Sequence, residues 1–154
     1  MPRKQEKLYW FLIFSTCATR MVTDQQTEQV IRCAFAVHNT LGAGFLGKVY
    51  ENALAHELRK LGFKVHQQQS VEIRYDTVFV GTYMTDLIIE PNLAVEVKAV
   101  RALDNTHIAE VLNYLRASTL PVCLLLNFGR PRLEIRRLTA ALPATPNCDQ
   151  IQPT

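Results

Sequence analysis

Three side chains in the middle of the sequence have the types and the spacing for metal-assisted chemistry: Asp86, Glu96 and Lys98. Asp86 and Glu96 stand symmetrically about Pro91. A three-residue loop at Glu90, Pro91 and Asn92 therefore sets residue 86 directly opposite residue 96 on two antiparallel strands. Directly opposed side chains share one face, with Cβ atoms about 5 Å apart. Lys98, two residues beyond Glu96, joins it on that face. Two carboxylates so close repel each other in a partly dry site, and a bound cation removes the repulsion; oxygen donors favour Mg²⁺ or Mn²⁺. An aspartate beside a Glu-x-Lys is also what a solvated sheet face looks like, so the pattern by itself defines a candidate only.

The surrounding elements follow from periodicity. Thr23 with Gln26 is a capping-box pattern. Val30, Ala34, Val37 and Leu41 then recur at helical spacing, with Ile31 and Phe35 widening the stripe, until Gly42 and Gly44 turn the chain. A second helix is expected from about Lys48 to Leu61, stopped by Gly62. After Lys64 the period becomes two. Val71, Ile73 and Tyr75 alternate with charged residues, Asp76-Thr77 is a tight turn, Val78 to Tyr83 continues, and Leu87 to Ile89 returns as Leu93 to Val97, a meander of three strands. A helix over roughly Asn105 to Ser118, a buried strand from Val122 to Leu126 and a further strand from Leu133 to Leu138 complete the order.

With this order in hand, the segment from Val37 to Arg137 resembles the GxxExxY proteins, a group within the PD-(D/E)XK nuclease superfamily. The resemblance is carried by Val37-His38-Asn39-Thr40-Leu41-Gly42-Ala43-Gly44-Phe45, by Val49-Tyr50-Glu51-Asn52-Ala53-Leu54 and by Glu57-Leu58. It continues through Thr85-Asp86-Leu87-Ile88-Ile89-Glu90, Ala94-Val95-Glu96-Val97-Lys98-Ala99, Leu112-Asn113-Tyr114-Leu115 and Leu124-Leu125-Leu126-Asn127-Phe128-Gly129. It implies an α/β fold with a PD-(D/E)XK nuclease-like core (helix, three-strand meander, helix, strand) and an added N-terminal helix. It also implies that Asp86, Glu96 and the Val97 carbonyl ligate Mg²⁺ (or Mn²⁺), and that Lys98 positions or activates water. The expected activity is cleavage of phosphodiester bonds in DNA or RNA; the alternative is a module that keeps the fold, has lost catalysis and binds nucleic acid or protein.

Two positions depart from the family pattern. Gly47 stands where the pattern has a glutamate, and Glu51, four residues later, is displaced by about 6 Å along a helix. Glu110 stands where the family has glutamine, on one helical stripe with His107 and Tyr114. Glu110 is a candidate to restore the charge lost at Gly47; the rival view is drift in a protein that no longer cuts. Glu51, Glu110, His107 and Tyr114 are the accessory candidates.

Other signals are weaker. Gly42-Ala43-Gly44-Phe45-Leu46-Gly47 spells GxGxxG, but it follows a helix and not a strand, so no dinucleotide site is expected. The 154 residues, 48% apolar, suit one domain over 21–140, and a net charge of +3 is too mild to name a partner. Arg130, Arg132, Arg136 and Arg137 form the one dense basic cluster, readable as a solvated strand edge or as a phosphate track. Four separated cysteines lack zinc spacing. Residues 1–20 read either as a minimal signal peptide or as sequence upstream of a start at Met21; the second reading is preferred and makes the domain cytoplasmic. No membrane association is expected, a homo-oligomer is not indicated, and the tail over 141–154 should be loose.

Overall fold

The computed structural model describes residues 23–118 and 120–140. The leader over 1–20, the tail, Cys17 and Cys148 lie outside the described residues. Helix α1 runs Asp24–Leu41 and α2 Gly47–Lys60. The strands are β1 Val65–Tyr75, β2 Val78–Ile89 and β3 Leu93–Lys98; helix α3 (Asn105–Ala117) leads to β4 Val122–Asn127 and β5 Glu134–Thr139. Together the strands make a five-stranded sheet in the order β1-β2-β3-β4-β5.

Side-chain caps set the starts of α1 and α3. Thr23 accepts the Gln26 N–H at 3.1 Å. The reciprocal half of the capping box is not made, because the Gln26 side-chain amide donates instead to the Glu90 carbonyl and ties α1 to the β2–β3 loop. Asp104 and His107 do form a full capping box on α3. Gly42 (φ 68°) ends α1 in a conformation that glycine adopts without steric cost.

The sheet has a layer of helix on each side. Leu93, Val95, Val97, Leu87, Leu124 and Leu126 pack with Val30, Tyr50, Leu54 and Leu58 of α1 and α2. Ala94, Cys123 and Leu125 pack with Val111, Tyr114 and Leu115 of α3. Strand alternation therefore sends Glu96 and Lys98, which follow Ala94 in steps of two, to the α3 side. β3 and β4 are parallel, joined by α3 as a crossover. This unit was not foreseen from hydrophobic alternation; it lies downstream of the glycine run, which sits between two helices.

β2 is twice as long as β3. It pairs with β3 only from Leu87–Val95 to Ile89–Leu93, while β1 pairs with it along its whole length in a hairpin turned by Asp76 and Thr77 at positive φ. β2 and β3 part company at Asp86 and Glu96. The fork is where the polar residues collect. Among the described residues, no helix is long and apolar enough to cross a membrane.

Candidate active site

The three-residue loop is present: β2 ends at Ile89 and β3 begins at Leu93. The ladder, however, stops at Leu87–Val95 rather than running on to Asp86 and Glu96. At the next step the Asp86 carboxylate takes over, its Oδ2 accepting the Val97 N–H at 2.8 Å. Glu96 is held from the neighbouring position, its Oε1 accepting the Thr85 hydroxyl at 2.8 Å. Asp86 and Glu96 are therefore fixed by different bonds at the same fork.

Glu96 is buried, 3% exposed. Burial first, and then the Asp86 charge, push its carboxyl up to about 8 despite the Thr85 bond and the Lys98 charge. Asp86 is also raised, chiefly by burial, against the lowering effect of the Val97 N–H; the charge of Glu51 adds to the rise. A buried carboxyl and a half-buried one whose charge raises it are a poor place for two negative charges and a good place for a divalent cation. Oxygen donors of this kind suit a hard ion. Asp86, Glu96 and the adjacent Val97 carbonyl could hold one. Among the described residues no group of three His, Cys, Asp or Glu side chains is placed to hold a metal ion, and the candidate donors are two carboxylates and a main-chain oxygen.

Glu51 comes closer than its offset along the helix implies. It is buried, and the Gln68 amide donates to both Glu51 Oε2 (2.9 Å) and Asp86 Oδ1 (3.2 Å). Gln67 and Lys48 donate to Glu51 Oε1 at 3.0 and 2.8 Å. Gln68 holds φ 54°, a left-handed conformation that costs a non-glycine residue about 1–3 kcal/mol. Its double contact is what anchors it. Nothing in the run Gln67-Gln68-Gln69 marks the middle residue as the bridge.

Lys98 Nζ lies 3.1 Å from Glu110 Oε2. Glu110 thus reaches the site from α3, but as the partner of the lysine and not as a third carboxylate beside Asp86. His107 is taken up by the α3 cap, its Nδ1 accepting the Asp104 N–H at 3.1 Å. It does not join the fork. Tyr114 packs against Tyr83 with centroids 5.0 Å apart; its buried hydroxyl lies beside Thr85 without a well-formed hydrogen bond. Burial and the charges of Glu96 and Glu110 raise the Tyr83 hydroxyl, so it stays protonated.

At Gly47, a Cβ would meet only the Val97 carbonyl oxygen, at 3.8 Å, an ordinary contact. The absent side chain would therefore start at the proposed ligand itself.

A model of the PD-(D/E)XK nuclease superfamily matches residues 24–138. The chain belongs to the PD-(D/E)XK nuclease superfamily. The match spans α1 to β5 and so takes in the whole sheet, the fork and all three helices. No curated protein and no solved structure matches the chain. Nucleases of this superfamily generally use divalent metals. The forked β2–β3 pair, with its acidic residues beside a lysine, is the candidate for that chemistry.

Proposed function

We propose that this chain is a Mg²⁺- or Mn²⁺-dependent nuclease of the GxxExxY group that hydrolyses phosphodiester bonds of DNA or RNA. The observation that carries the reading is the Asp86–Glu96 pair at the fork, Glu96 buried and Asp86 half-buried, each carboxyl raised by burial and by a neighbouring carboxylate, with Lys98 two residues from Glu96. When bound, a divalent cation supplies Lewis-acid charge for a phosphoryl oxygen and makes water easier to deprotonate. The chain's own residues do the rest. Thr85 and the Val97 N–H orient the two carboxylates, and Lys98 stabilises charge that grows on the phosphate. Gln68 spaces Glu51 from Asp86 so that neither swings away.

Single- and double-stranded DNA and RNA incubated with Mg²⁺ or Mn²⁺ test the reading. Asp86→Asn is the control, because the amide oxygen still accepts the Val97 N–H and the fold is kept. Cleavage by the parent alone supports the proposal; cleavage that survives in the variant belongs to another site.

A second reading, a binding module without catalysis, is favoured by Gly47 and by the Lys98–Glu110 ion pair. Gly47→Glu separates the two. The change replaces a glycine at the first position of α2, whose first turn carries no acidic residue, and glutamate suits that end of the helix dipole. In a competent site the new carboxylate should tighten Mn²⁺ binding about tenfold or more, equivalent to about 1.4 kcal/mol, as read by calorimetry. In a site that has lost its metal role, Mn²⁺ affinity stays flat.

A further inference from the structure

The basic residues near the C-terminal ends of β3 and β4 fall into two groups. Arg136 pairs with Glu134 and Arg137 with Asp24. Arg130 and Arg132, in the β4–β5 turn, are exposed, and their side chains have no ion pair or hydrogen bond among the described residues; Arg101, exposed in the β3–α3 loop, has none either. The nearby carboxylates are engaged elsewhere: Glu134 by Asn127, the Leu103 N–H and Arg136, and Asp104 by the α3 cap.

The two loops that carry these three arginines are clamped together. The Phe128 N–H donates to the Lys98 carbonyl at 2.8 Å. Asn127 Oδ1 accepts both the Val100 and the Gly129 N–H at 3.0 Å. Gly129 lies so close to the Ala99–Val100 main chain that a Cβ would fall 2.3 Å from the Val100 oxygen. On the far side, His38 Nε2 is 2.8 Å from the Arg130 carbonyl oxygen. Arg101 and Arg130 each stand one residue from this contact, so their backbones are on the order of 10 Å apart or less. Both lie just beyond Lys98.

We propose that Arg101, Arg130 and Arg132 form a fixed phosphate track that receives the backbone of a nucleic-acid strand next to the fork. The proposal rests on the nuclease reading for what the strand is doing there, but its chemistry is separate. Unpaired guanidinium groups on immobilised loops give up no existing ion pair on binding, and guanidinium geometry suits phosphate oxygens. Paired Arg136 and Arg137 would have to break contacts first.

The test is binding of fluorescent single- and double-stranded oligonucleotides in EDTA, so that cleavage plays no part, over a range of salt. The variant Arg101→Gln/Arg130→Gln/Arg132→Gln should bind at least tenfold more weakly at low salt. Its log–log salt slope should shrink by about 2 on a single strand and nearly 3 on a duplex, since each lost contact removes about 0.7 and 0.9 respectively. Arg136→Gln/Arg137→Gln is the control and should leave the slope nearly unchanged. Arg132→Gln alone, a single change in an exposed turn, should remove one such step and covers the case of a misfolded triple variant. Equal effects in the control, an unchanged slope, or stronger binding to anionic lipid vesicles than to oligonucleotide would overturn the track. A reduced slope in a protein that cuts nothing keeps the track and defeats the nuclease reading; unchanged binding in a protein that cuts does the reverse.

Discussion

A Glu96→Gln protein is expected to lose metal-dependent cleavage and yet, without metal, to withstand heat better than the parent at pH 8. Loss of a charged donor from a buried site should cost about a thousandfold in rate. The stability effect has the opposite sign. The folded-state carboxyl of Glu96 is raised from its ordinary 4.5 to about 8. Between those values the folded chain holds a proton that the unfolded chain has given up. Its contribution to stability is complete below pH 4.5 and is lost as pH rises through about 8. Asp86 is shifted in the same direction. Glutamine keeps the shape and the acceptor for Thr85 but never ionises. In metal-free buffer its advantage over the parent should be near zero at pH 5 and grow to the order of 2–4 kcal/mol by pH 8. Paired denaturant titrations at the two pH values measure it; an advantage that does not grow with pH would mean the carboxyl is not raised. Saturating Mn²⁺ should stabilise the parent and leave the variant unchanged.

Gly129→Ala is expected to be among the most destabilising single changes in the described residues. Its φ is not in the left-handed region, so the penalty is one of space. An added Cβ would lie 2.3 Å from the Val100 oxygen, 2.5 Å from the Val100 nitrogen and 2.7 Å from the Ala99 carbonyl carbon, all of them main chain and unable to swing aside. Making room means parting the two loops, with loss of the Asn127 bonds to Val100 and Gly129. A loss of about 3 kcal/mol or more follows, visible as a lower urea midpoint. Gly81→Ala is the contrast: nothing lies within 4 Å of its added Cβ, and it should cost far less.

How much of this could be read from sequence depends on the range of the interaction. Caps, helix stripes and the loop around Pro91 are local, and Thr23, Gly42 and the symmetric placing of Asp86 and Glu96 report them directly. Local patterns do not say where a long side chain will end. Gln26 matches the capping box but reaches Glu90 instead. Glu51, an accessory candidate displaced along α2 from the missing glutamate, is brought by Gln68 into contact with the Asp86 network. Glu110, a candidate to restore the charge missing at Gly47, is found on Lys98. The parallel pairing of β3 with β4 was equally hidden, because both strands are mostly apolar and buried on two faces, so no alternation reveals their partners. The Asn127–Gly129 clamp showed only as part of a resemblance, since a close approach between two main chains leaves no mark on either segment alone.

The bond from the Val97 N–H to Asp86 makes one carboxylate serve both as part of the scaffold and as a candidate donor. Any cation that draws on that oxygen changes the electron density facing a single peptide proton. The Val97 amide is thus an internal gauge of occupancy, and its resonance should move before any substrate is added.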